Sequence, residues 1–111
     1  MSRSKYKTRH CSRDRAARER FIKETIGYGE PVDTFYWDRG HPDGPENHVI
    51  TSTALIRIYN VISKKLITTL IARPAQIQRY YDREGRAAPP ELLALALEHQ
   101  QKVIIICKGD K

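Results

Sequence analysis

Three residue types placed at corners of the chain could carry out phosphodiester chemistry. His48 opens the run His48-Val49-Ile50-Thr51 directly after a long polar loop. Arg73 precedes Pro74, which restricts its backbone to extended geometry and can hold its guanidinium rigidly toward a phosphate. Tyr80 follows seven residues later, two helical turns on, so Arg73 and Tyr80 can share a face. Metal-independent RNA cleavage needs a base for the 2′-hydroxyl, cations for the phosphorane and an acid for the 5′-oxygen. His48 suits the acid–base work, Arg73 and Lys65 suit the phosphate, and Thr51 and Tyr80 can support them. Each has a structural use as well: a hydrogen-bonded strand histidine, a helix-end arginine, one core tyrosine beside one rim tyrosine. His41, Asp43, Glu46 and His48 lie within eight residues and have metal-ligand chemistry. Ordinary turn chemistry accounts for Asp43-Gly44, however, and no metal and no cofactor are expected.

These residues need elements to hold them. Ser12 can cap a helix over about 13–26, which Gly27-Tyr28-Gly29 ends. Val32 to Trp37 is β-branched and aromatic and reads as a strand. Two glycines and two prolines make 38–46 a loop. His48–Thr51, Ala54–Asn60 and Leu66–Ala72 read as strands, the last two joined as an antiparallel hairpin. In that hairpin Ile56 and Ile58 share one face, and Leu66, Thr68 and Leu70 share one face of the partner strand. Pro74 opens a short helix to about 83, and Pro89-Pro90 opens another over roughly 90–102. Val103 to Cys107 fits a strand or a continuation of that helix. The expected fold is α+β: a small twisted antiparallel β-meander packed by N-terminal and C-terminal helices.

A basic N-terminal helix, a short meander, and His, Thr, Arg and Tyr along its strands and the next helix resemble the barnase–EndoU–colicin–RelE class of small metal-independent ribonucleases. The resemblance runs over residues 32–83, through His48-Val49-Ile50-Thr51, Leu55 to Asn60, and Leu66 to Arg73 with Pro74. It is one of architecture and residue type. It implies a toxin-type or phage-encoded endoribonuclease that leaves a 2′,3′-cyclic phosphate. It implies His48 as acid or base, Arg73 and Lys65 as phosphate binders, and Thr51 and Tyr80 as supporting polar groups. A protein inhibitor, or a phage or host partner, would go with such an enzyme.

The charge is concentrated at one end. The 111 residues carry a formal +7, and residues 1–23, with nine basic and two acidic side chains, account for all of it. Residues 1–11 read as a basic disordered arm and 12–111 as a single α+β domain. Arg3, Lys5, Lys7, Arg9 and Arg13 suit a polyanion, whose counterions they would release; RNA is favoured over DNA. Two other classes stay open. A non-catalytic nucleic-acid-binding protein would stack bases on Tyr36, Trp37, Tyr59 and Tyr80. A partner-binding scaffold would need neither activity. No apolar run approaches the ~18 residues of a spanning helix, and no secretory signal is evident. A cytoplasmic protein without membrane contact is expected, with Cys11 and Cys107 as free thiols.

Overall fold

Alternation of apolar side chains, interrupted by turn residues, folds the middle of the chain into four short strands. In the computed structural model the backbone is described for residues 15–109 and side chains for residues 15–103. Helix α1, Arg15–Phe21, runs into a π-helical turn, Ile22–Ile26, and Gly27 ends it. Strands β1 (Pro31–Trp37), β2 (Glu46–Thr51), β3 (Leu55–Asn60) and β4 (Leu66–Ile71) follow. Helix α2, Pro74–Arg83, and helix α3, Pro90–Gly109, complete the order. The expected α+β meander is what forms: a single antiparallel sheet in the order β1-β2-β3-β4. Residues 103–109 continue α3, so Val103 to Cys107 adds no fifth strand. Cys11, and the side chain of Cys107, lie outside the described residues.

The core lies between one sheet face and helices α2 and α3. Phe35, Ile50, Ile56 and Ile58 supply the sheet side; Ile77, Tyr81, Leu92 and Ala96 supply the helix side. Ile77 and Tyr81 are four residues apart and so fall on one stripe of α2. Leu66 departs from the expected parity and is 38% exposed. A bulge explains this: Ile58 pairs with Thr68 but Tyr59 pairs with Leu66, so Ile67 is the extra residue and the alternation slips there.

Helix α1 does not share that core. It lies against β4, one of the two edge strands, and uses arginines to cover it. Arg15 donates to the Ile67 carbonyl at 2.9 Å, and Arg18 donates to the Thr69 carbonyl at 2.9 Å and to Thr68 Oγ1 at 3.1 Å. Outward carbonyls of an edge strand otherwise invite pairing with another chain. These two basic side chains of the N-terminal segment therefore have structural partners.

Among the described residues, no helix is long and apolar enough to cross a membrane.

Candidate functional site

The loop between β1 and β2 is fastened to the β3–β4 turn, and this sets the position of Glu46 and His48. Val61 N–H donates to the Pro45 carbonyl at 3.0 Å, and Asn60 Nδ2 donates to the Asp43 carbonyl at 2.8 Å. Gly44 has φ +99°, and a Cβ there would come within 2.6 Å of Ile62 Cδ1. That φ is one that side chains rarely adopt and glycine takes freely. β2 then starts at Glu46, and its period of two turns Glu46, His48 and Ile50 toward α2.

His48 is 3% exposed and both of its ring nitrogens are engaged. Nε2 lies 2.9 Å from Glu46 Oε1, and Nδ1 lies 2.5 Å from the Tyr80 hydroxyl. A carboxylate can only accept, so Nε2 carries the proton. In the neutral ring Nδ1 is then an acceptor, and Tyr80 donates to it. Trp37, on the neighbouring strand, stacks on the imidazole at 5.7 Å between centroids and 17° between planes. Phe35, directly across from His48, packs against Tyr80 at 5.2 Å.

Two arginines lie against Trp37, beside this chain of hydrogen bonds. Arg83, one turn beyond Tyr80 on α2, places its guanidinium carbon 3.7 Å over the Trp37 ring and 5.7 Å from the Tyr80 ring centre. Arg39 lies 6.0 Å from the Trp37 ring centre. Burial pushes the Tyr80 hydroxyl above the ordinary phenol range; the charges of Arg83, Arg39 and Arg79 oppose this, and that of Glu46 adds to it. Tyr80 is therefore protonated at neutral pH and acts as a donor. It can take up a proton only while passing its own to His48.

The expected site residues divide by position. His48 and Tyr80 come together. Lys65 is exposed just before β4, at the same end of the sheet as Glu46. Thr51 and Arg73 do not join them. Thr51 is buried at the other end of β2 and on the other sheet face, where its Oγ1 accepts the Leu55 and Thr53 amides at 3.2 and 3.3 Å. It shapes the β2–β3 turn. Arg73 is exposed at the start of α2, about 10 Å along the axis from Tyr80 at the usual helical rise. There its N–H donates to Gln76 Oε1 at 2.9 Å, which fastens the helix start. Arg3, Lys5, Lys7, Arg9 and Arg13 lie outside the described residues.

The four residues with metal-ligand chemistry also separate. His41 Nδ1 accepts the Asp43 amide at 3.1 Å in the exposed loop, while Glu46 and His48 bond to each other. Among the described residues, no three His, Cys, Asp or Glu side chains cluster closely enough to hold an ion.

Sequence reasoning missed Arg83 and gave Glu46 no role on His48. Both had a legible signal. Glu46 and His48 are two apart in a strand and so share a face; Tyr80 and Arg83 are three apart in a helix and so share a stripe.

No protein-family model, no curated protein and no solved structure matches this chain.

Beside the site, Tyr81 ties α2 to β1. Its hydroxyl donates to Asp33 Oδ2 at 2.5 Å, and Arg86 pairs with Asp33 Oδ1 at 3.3 Å. Burial, then the bond to Asp33 and its charge, push the Tyr81 hydroxyl well above the ordinary phenol range, with Arg86 opposing. A group whose folded pKa is raised stabilises the fold below its unfolded pKa, here about 10. That contribution is lost as pH rises toward the folded value. Urea denaturation between pH 8 and pH 11 should show stability falling above about pH 10. Tyr81→Phe should lower neutral-pH stability by about 1.5 kcal/mol and flatten the alkaline decline. An alkaline decline equal to that of the parent chain would remove Tyr81 as its cause.

Proposed function

We propose that this chain is a metal-independent endoribonuclease in which Tyr80, backed by His48 and Glu46, exchanges protons with the RNA. The observation that carries the reading is the Glu46–His48–Tyr80 hydrogen-bonded chain, whose outer hydroxyl feels three guanidinium charges. A carboxylate that orients an imidazole, which in turn takes a proton from a hydroxyl, is the general arrangement for activating a hydroxyl. The cations are what a dianionic phosphorane requires.

Burial changes the role first expected of His48. It is too enclosed to meet substrate and works through Tyr80. The 2′-hydroxyl oxygen forms a bond to the adjacent phosphorus and gives its proton to Tyr80 Oη. Tyr80 passes its own proton to His48 Nδ1, and Glu46 holds the resulting imidazolium. The bond from phosphorus to the 5′-oxygen breaks, and that oxygen takes a proton from solvent. His48 returns its proton to solvent and the pair is restored. The products are a 2′,3′-cyclic phosphate and a 5′-hydroxyl. Arg83 and Arg39, whose charges act on the Tyr80 hydroxyl, supply the positive charge for the phosphorane oxygens.

Purified protein incubated with mixed-sequence RNA tests the reading. The expected result is cleavage that persists in EDTA, a 2′,3′-cyclic phosphate end group, and no cleavage of RNA whose 2′-hydroxyls are replaced by hydrogen. Intact RNA after prolonged incubation at several pH values would overturn it.

A further inference from the structure

The meander sorts the chain's aromatic residues onto two faces. Trp37 and Tyr80 lie on the face covered by α2. Tyr36 and Tyr59 lie on the other. Tyr36 pairs with Asn47, and Asn47 pairs with Tyr59, so the two rings flank the amide across three adjacent strands. Two strand spacings separate them, about 10 Å, so each ring can hold its own base. In the next row Thr34 pairs with Val49 and Val49 with Arg57. Tyr36 is 57% exposed, Thr34 is exposed, and Asn47, Val49, Arg57 and Tyr59 are half-buried.

Arg57 is held in place on this face. Its Nε donates to Thr69 Oγ1 at 3.3 Å, and its guanidinium carbon lies 4.7 Å from the Tyr28 ring centre and 6.0 Å from that of Tyr59. Over β1 to β3 these rows carry one charged residue, Arg57, and one aliphatic residue, Val49; on β4 they continue to Leu66 and Thr69. Two spaced tyrosines, an amide between them and one fixed guanidinium match the stacking faces, base edges and phosphates of a single strand.

We infer that the uncovered part of this sheet face, centred on Tyr36, Asn47 and Tyr59 with Arg57 at its border, binds single-stranded RNA by stacking two bases. The surface follows from the register alone; the choice of RNA over DNA rests on the proposed ribonuclease reading. The platform and the Tyr80 site occupy opposite faces at the same end of the sheet, because Tyr36 adjoins Trp37 and Asn47 adjoins Glu46. A strand stacked on one face can pass around β1 to the other.

The test uses the full chain carrying Tyr80→Phe, so that cleavage does not interfere, and fluorescence anisotropy of a labelled ten-nucleotide oligouridine. Tyr36→Ala should weaken binding by about 5- to 150-fold, the range for loss of one stacked base, and Tyr59→Leu by a similar factor. Tyr36 is exposed, so its variant remains decisive even if Tyr59→Leu fails to fold. Affinities within about twofold of the parent for Tyr36→Ala would overturn the platform, as would equal binding of duplex RNA of the same length. Equal affinity for the DNA of the same sequence would overturn the choice of RNA. Failure of the ribonuclease reading shows separately, as intact RNA with the unsubstituted chain.

Discussion

Tyr80→Phe should reduce RNA cleavage by about 10²–10⁴-fold, the range that a positioned proton-transfer group contributes. The substitution removes one oxygen and keeps the ring against Phe35 and Trp37. It also leaves His48 Nδ1 buried without its donor, at a cost of about 1–3 kcal/mol. Cleavage is therefore to be compared at a temperature where circular dichroism shows both proteins folded. RNA affinity should stay close to that of the parent, because Arg83 and Arg39 remain. A single-turnover assay at saturating protein separates the two effects. A rate within threefold of the parent would remove Tyr80 from the chemistry and leave the Glu46–His48–Tyr80 chain as a fastening between β2 and α2.

Phe35→Ala should destabilise the fold by about 3–5 kcal/mol, as large aromatic-to-alanine truncations in cores do. Phe35 is fully buried in the centre of β1 and packs against Tyr80 at 5.2 Å and Tyr81 at 5.1 Å. It is the sheet residue on which both tyrosines of α2 rest, so the cavity opens directly beneath the site. Chemical denaturation measures the loss, and activity at low temperature should fall further than the folded fraction predicts. A loss below about 1 kcal/mol would mean that α2 collapses onto β1 without Phe35. The core would then be held by Ile50, Ile56 and Ile77.

Four strands and the two helices after them were legible in the residues themselves. Prolines and glycines mark the turns, and short runs rich in β-branched and aromatic residues between them point to strands. Pro74 at the first position of α2 and Gly85 beyond its end placed that helix to the residue, because both act through local backbone geometry. The bulge that turns out Leu66 was not legible. It arises from how the β3–β4 hairpin closes, with Lys64 at φ +64°, and no residue of the strand announces it. The end of the chain was open between two states because β-branched residues fit a strand or a helix that packing supports.

The sequence by itself determined which residues could do chemistry: a histidine after a polar loop, a tyrosine on a helix, a run of basic groups. It also determined that His48 and Glu46 share a face and that Tyr80 and Arg83 share a stripe, since both follow from local periodicity. Only the tertiary structure decided which local groups meet. α2 crosses back over the sheet, so its C-terminal half, with Tyr80 and Arg83, reaches β1 and β2, while Arg73 stays at the far end of the same helix. The crossing direction depends on how Ile77, Tyr81 and Leu92 fill the space above Phe35, Ile50 and Ile56. That is a property of shape across residues distant in sequence, and it also buried His48.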